Sequence, residues 1–194
     1  MIAEVVSRRY PMWVIRAVRV GLFAVLVALS ARVRIEIAPN VPPITAQTLM
    51  IFITGMVLGP LEGALSVSVY VAAIALGAPL DTRGLGPLVF WSVTAGYLVG
   101  FVPAAFVAGL AWRAKQHRLL LNVICGLAAM VVILAFGTIG VAAFRQMSLD
   151  SALIASVFPF ILIEPGKVLL AASLVNLGNQ AWQRWMPSNL LLGN

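Results

Sequence analysis

Charge is scarce in this sequence. Only 10% of its 194 residues are Asp, Glu, Lys or Arg, and 62% are hydrophobic, whereas a soluble domain carries about 25% charged residues. A globule of this composition has too little polar surface to cover itself, so the chain reads as an integral membrane protein. Histidine and cysteine are almost missing. His117 and Cys125 are single residues of their kinds, which excludes an intramolecular disulfide and leaves no ligand spacing for a metal centre. With so few acids no triad or metal site assembles, and an enzyme is not expected. A phosphate loop is missing too. Gly166-Lys167 has no glycine five residues before it and Val168 instead of Ser or Thr after it, so ATP hydrolysis is not expected in this chain. The net charge of +7 comes from scattered bases. They lack the aromatic interleaving of a nucleic-acid surface and fit the attraction of cytoplasmic flanks to anionic lipid.

What is present is apolar sequence in span-sized pieces. A membrane helix needs roughly 20 apolar residues, so the length accommodates six. Span 1 is expected over about 13–31. The loop 32–45, "RVRIEIAPNVPPIT", alternates polar and apolar residues and carries three prolines, which excludes a membrane helix there. Spans 2 and 3 are expected over 46–58 and 64–76, separated by "GPLEG". The turn-rich 77–87 precedes span 4, over 88–112, and span 5 covers 119–141. Residues 151–160 read as a short piece. Pro165 then starts span 6, to about Trp185, because proline is favoured at the first helical position and resisted further in. This places Glu164 at the N-cap and Lys167 in the first turn. The expected architecture is an all-α, compact six-helix transmembrane bundle. It forms a single domain over 1–194, with short cytoplasmic segments at about 1–12 and 186–194.

Basic residues near the span ends orient the bundle. With the N-terminus in the cytoplasm, the inner side holds Arg8, Arg9, Arg16, Arg19, Arg113, Lys115, Arg118 and Arg184, and the outer side Arg32, Arg34, Arg83 and Arg145. That asymmetry follows the positive-inside rule. Loops 32–45 and 77–87 and the start of span 6 then share the outer end. Gly96, Gly100, Ala104 and Ala108 on span 4, and Gly55, Gly59 and Gly63 around span 2, recur every four residues. Such ladders let helices approach closely in lipid. They serve packing within the bundle or a docking face for a partner.

The polar residues of the outer end are the candidates for function. Glu164 and Lys167, three apart, share a helix face. Neither charge is tolerated unpaired in lipid, so both face the interior or a watery pocket. They form either a staple that fixes helix register or a binding site. Thr45 or Gln47 caps span 2, or they meet a ligand together with Thr48. Asp81 and Arg83 make a solvated turn or join the site. Tyr97, beside Thr94, is an interfacial anchor or a pocket residue, and Phe90 and Trp91 read as lipid-interface aromatics.

Three stretches resemble the BioY family, the biotin-specific S components of energy-coupling factor transporters. Residues 41–80, "VPPITAQTLMIFITGMVLGPLEGALSVSVYVAAIALGAPL", are similar to the family's first signature, with Thr45, Gln47, Gly55, Gly59, Pro60, Gly63, Tyr70, Gly77 and Pro79 at its positions. "TAGYLVGF" (94–101) and "PFILIEPGKVLLAA" (159–172) resemble two further motifs. Glu164 stands where the family usually has Asp, and Pro165-Gly166 follow the acid instead of preceding it. The resemblance implies the S-component fold and biotin as transported ligand, with no cofactor. It implies a multi-pass protein of the bacterial cytoplasmic membrane that captures biotin from outside. It also implies partners: a transmembrane coupling subunit and two ATPase subunits. Glu164 would accept from the ureido N–H groups of biotin, and Lys167, Gln47, Thr45, Arg83 or the helix N-terminus would donate. Tyr97 and Asp81 complete the expected substrate site. Ala24 and Ala28 on span 1 are similar to the face such subunits present to the coupling protein.

Overall fold

The computed structural model describes residues 11–36, 42–114 and 118–185. Helix α1 runs Met12–Ser30. A short ribbon follows, β1 (Arg34–Ile35) against β2 (Ile44–Thr45), antiparallel with Arg34 opposite Thr45. Then come α2 (Gln47–Leu58), α3 (Pro60–Ala75), a 3-10 segment (Gly86–Trp91) and α4 (Ala95–Ala108), which continues as a 3-10 turn to Ala111. The chain closes with α5 (Arg118–Arg145), the short α6 (Leu149–Val157) and α7 (Ile163–Trp185). Six longer helices thus form the expected all-α membrane bundle, with α6 as a brief insert. Among the described residues, α1 and α5 are long and apolar enough to cross a bilayer, while α2, α3 and residues 95–111 are shorter apolar helices. The expected terminal segments 1–12 and 186–194 lie almost wholly outside the described residues.

Helix α2 is the hub. It packs on α1, α3, α4, α5 and α7, and Ile51, Phe52 and Met56 are fully buried on it. The corner between α2 and α3 is sharper than expected. Only Gly59 leaves the helix, at φ 86°, and Pro60 already starts α3. A left-handed φ is costly for any residue with a Cβ, and proline is preorganised for the first helical position.

The small-residue ladders serve the interior. A Cβ on Gly96 would lie 2.2 Å from the Phe136 carbonyl oxygen, and one on Gly55 would lie 2.3 Å from that of Ala105. These glycines let α4 touch α5 on one side and α2 on the other, backbone to backbone. Ala24 and Ala28, the residues expected at a docking face, lie on α1. They are 7% and 9% exposed on the face of α1 that packs mainly on α3 and less on α2. Ser66 of α3 donates to the Val20 carbonyl on that same face (2.9 Å). Their methyl groups fill the bundle's own interior.

Two helix boundaries also differ from expectation. Span 4 is broken at Ser92–Thr94 instead of running unbroken from Leu88. The Ser92 hydroxyl donates to the Val89 carbonyl (2.7 Å) and accepts from the Thr94 N–H (3.3 Å), so a side chain replaces helical backbone bonds. Helix α7 starts two residues before Pro165. The turn ahead of it is already wound: the Ile163 and Glu164 N–H groups both donate to the Phe160 carbonyl. Glu164 is therefore in the first turn and is not the N-cap. Pro165 still falls where no intrahelical N–H partner is required.

Candidate functional site

One cavity opens at the end of the bundle that carries the β ribbon and the 77–87 loop. Its rim holds Pro42, Pro43, Thr45 and residues 81–83, and its depth is lined from α2, α3, α4, α5 and α7. The walls are apolar and aromatic, with Val89, Leu98, Phe101, Ile133 and Leu134 among them. The Tyr97 and Phe160 rings meet edge to face at 6.0 Å between centroids.

At the inner wall lies Glu164, 4% exposed. Its Oε1 accepts from Lys167 Nζ at 2.5 Å and from the Thr48 hydroxyl at 3.1 Å. Its Oε2 is buried and has no hydrogen-bond partner among the described residues. A carboxylate oxygen left open beside a cavity is an acceptor awaiting a donor, because leaving it unmet costs free energy. Lys167 holds the other oxygen from behind. Its ammonium also donates to the Thr45 carbonyl (2.7 Å) and the Thr48 hydroxyl (2.9 Å). An ammonium has three N–H groups, and here all three are engaged. Lys167 is not among the cavity's lining residues. It neutralises and aims Glu164, and it ties α7 to the strand that forms the rim.

A second polar chain crosses the cavity wall. The Thr82 hydroxyl donates to Gln47 Oε1 (2.9 Å), Gln47 Nε2 donates to the Tyr70 hydroxyl (2.7 Å), and that hydroxyl donates to the Leu80 carbonyl (3.3 Å). Both amide ends of Gln47 are thereby fixed, and one of its two N–H groups remains for a ligand. The Thr45 hydroxyl accepts the first N–H of α2, from Gln47 (3.2 Å), although the N-cap itself is Ala46. Thr45 nonetheless lines the cavity.

Asp81 and Arg83 have different jobs. Asp81 is 2% exposed. Its two oxygens accept from the backbone N–H groups of Gly86 (2.7 Å) and Arg83 (3.0 Å), so it shapes the loop in the manner of an Asx turn. Arg83 lines the mouth and pairs with Glu36 at 3.1 Å. Arg32 donates to the Pro79 carbonyl and Arg34 to that of Thr82, which stitches the β ribbon to the 77–87 loop. Trp91, 82% exposed, stays outside.

The structure therefore gathers Glu164, Thr45, Gln47, Tyr97, Arg83 and Asp81 around one cavity, with Lys167 directly behind it. Sequence reasoning did not select Thr82, Phe101, Leu134 or Phe160 for the site, and named Tyr70 only within a motif. Tyr70 carries the one aromatic hydroxyl in the apolar α3, which is a usable signal, but its partner Gln47 is 23 residues away. No group of His, Cys, Asp and Glu side chains among the described residues is suited to a metal.

Residues 5–184 match the model of the BioY family. A biotin transporter BioY of Rhizobium etli is 37% identical over 164 residues, covering 80% of this chain and 86% of that protein. Its namesake from Rhodobacter capsulatus is 36% identical over 131 residues, 62% of this chain and 66% of that one. The crystal structure of an S-component for biotin from an ECF-type ABC transporter superposes with a TM-score of 0.77 at 22% identity, over 86% of this chain and 92% of that chain. Fold, motifs and matched length lead to one conclusion: this chain belongs to the BioY family.

Proposed function

We propose that this chain is the biotin-binding uptake subunit of an energy-coupling factor transporter. The observation that carries the reading is the open Oε2 of Glu164, buried at the inner wall of an otherwise apolar and aromatic cavity. Biotin offers the complement: ureido N–H donors on a ring fused into an apolar bicycle, and a carboxylate tail. The ureido N–H groups meet the Glu164 carboxylate in a charge-assisted bond. The free Gln47 N–H serves the ureido oxygen. Tyr97, Phe101 and Phe160 enclose the bicycle, as ligand sites commonly use apolar walls with a few convergent polar groups. The carboxylate tail points to the mouth, toward Arg83, whose side chain is 31% exposed.

The protein acts by binding and delivery, without chemistry of its own. Energy comes from separate chains, a transmembrane coupling subunit and two ATPase subunits, in keeping with the missing phosphate loop. The protein resides in the bacterial cytoplasmic membrane with its N-terminus inside, which turns the cavity mouth outward. The excess of bases at the opposite end supports that orientation. The decisive test is direct. Protein purified without added ligand is denatured, and released small molecules are identified by mass spectrometry. Biotin at near-stoichiometric level is expected. A different vitamin at that level overturns the substrate assignment.

A further inference from the structure

A polar joint outside the cavity holds two of its walls. Tyr97 lines the cavity, and its hydroxyl donates to the Ser156 carbonyl of α6 at 2.8 Å. That carbonyl is in the last turn of a nine-residue helix, where backbone oxygens lack intrahelical partners. Tyr97 thus caps α6 from the side. The Ser156 side chain, fully buried, meets Thr138 of α5 at 2.7 Å. The Thr138 hydroxyl donates to the Leu134 carbonyl at 2.9 Å. A hydroxyl has one hydrogen, so Ser156 is the donor in the Ser156–Thr138 contact.

The joint fixes where α6 ends, and the cavity depends on that end. Phe160 is four residues beyond Ser156, and its ring packs on Tyr97. Its carbonyl receives the Glu164 N–H at 2.9 Å. On the other side Gly137 leaves the room Tyr97 needs, since a Cβ there would lie 2.4 Å from the ring. Neither Thr138 nor Ser156 lines the cavity.

We propose that Thr138 and Ser156 are positioning residues for the ligand site, holding the Tyr97–Phe160 wall at the spacing the ligand requires. The proposal takes its probe, biotin, from the function proposed above. The variants are Thr138→Val and Ser156→Ala, with Thr138→Ser as the rescue that restores a hydroxyl. Two readouts are taken on full-length protein in detergent. One is biotin affinity by calorimetry. The other needs no ligand: the fluorine resonance of Tyr97 in protein labelled with 3-fluorotyrosine, assigned by its loss in Tyr97→Phe among the three tyrosines. Both variants are expected to shift the Tyr97 resonance and to weaken biotin binding about three- to tenfold, the loss of one buried hydrogen bond. Thr138→Ser should stay within about twofold of wild type by the same reasoning. An unmoved Tyr97 resonance overturns the proposal, whatever biotin does. So does a moved resonance with unchanged affinity, including the case where only the melting temperature of ligand-free protein falls. If wild-type protein binds no biotin, the substrate reading fails by itself and the resonance alone decides the joint: shifted, it stands; unmoved, it falls.

Discussion

Removing the Glu164 charge separates a binding site from a structural staple, provided its partner is removed as well. In Glu164→Gln the part-buried Lys167 ammonium, its side chain 13% exposed, loses its counter-charge. It keeps only the Thr45 carbonyl, the Thr48 hydroxyl and a neutral amide oxygen. Breaking a buried pair from one side costs about 3–5 kcal/mol. The single variant should therefore unfold at clearly lower temperature, and lost binding alone would be ambiguous. Lys167→Met leaves the carboxylate with the Thr48 hydroxyl alone and should be destabilised to a similar degree. In the double variant Glu164→Gln/Lys167→Met no buried charge is left uncompensated. Replacing both members of a buried pair is often close to neutral, so stability should return to within about 1 kcal/mol of wild type.

Binding should not return with it. Glu164 lines the cavity and its buried Oε2 has no partner among the described residues, and a hydrogen bond to a charged group contributes about 1.5–3 kcal/mol. Its loss corresponds to roughly 10- to 100-fold in affinity. The assay pairs thermal unfolding of ligand-free protein in detergent with biotin calorimetry on the same four samples. A double variant that regains stability and binds biotin within about threefold of wild type would refute the reasoning. The pair would then be a staple, and the acceptor for the ureido group would have to be sought elsewhere on the wall.

Two further predictions concern the bundle. Gly55→Ala places a Cβ 2.3 Å from the Ala105 carbonyl oxygen and must push α2 from α4; overpacking of this kind typically costs about 1–3 kcal/mol. Its unfolding midpoint should fall by several degrees on the order set by that figure, and an unchanged midpoint would contradict the close approach. Asn122 on α5 is fully buried with neither end of its amide partnered among the described residues. Asn122→Leu, with the same branching and number of side-chain heavy atoms, should raise stability by about 1 kcal/mol by removing an unmet polar group; a drop in the midpoint would show that the amide has a structural task.

The bundle was legible because each long helix has its own local signal. Scarce charge, span-sized apolar runs and the breaks at Gly59 and Pro165 needed no knowledge of tertiary contact. The boundaries that slipped were those decided by local hydrogen bonds outside the regular helical pattern. Ser92 closes the 3-10 segment through its hydroxyl, and the Phe160 carbonyl starts α7 early. Neither effect has a periodicity to read. The small residues show a different limit. A four-residue spacing says that a helix can be approached closely, but it does not say by what: the fold sets Gly55 against the Ala105 backbone and Gly96 against that of Phe136.

The site divides along the same line. Glu164 and Lys167 announced themselves because two charges in lipid demand an explanation. Their unequal roles did not, since those depend on Thr45 and Thr48, which lie about 120 residues away and reach the ammonium only in the folded chain. Once Lys167 has engaged all three of its N–H groups, it has no donor for a ligand. The acid alone faces the cavity, and the base sets its charge and its angle. The same division recurs at Tyr97. It faces the cavity while Ser156 and Thr138 hold it from behind. In a bundle this poor in polar groups, a ligand-facing side chain can keep a fixed position only if a buried partner outside the cavity holds it.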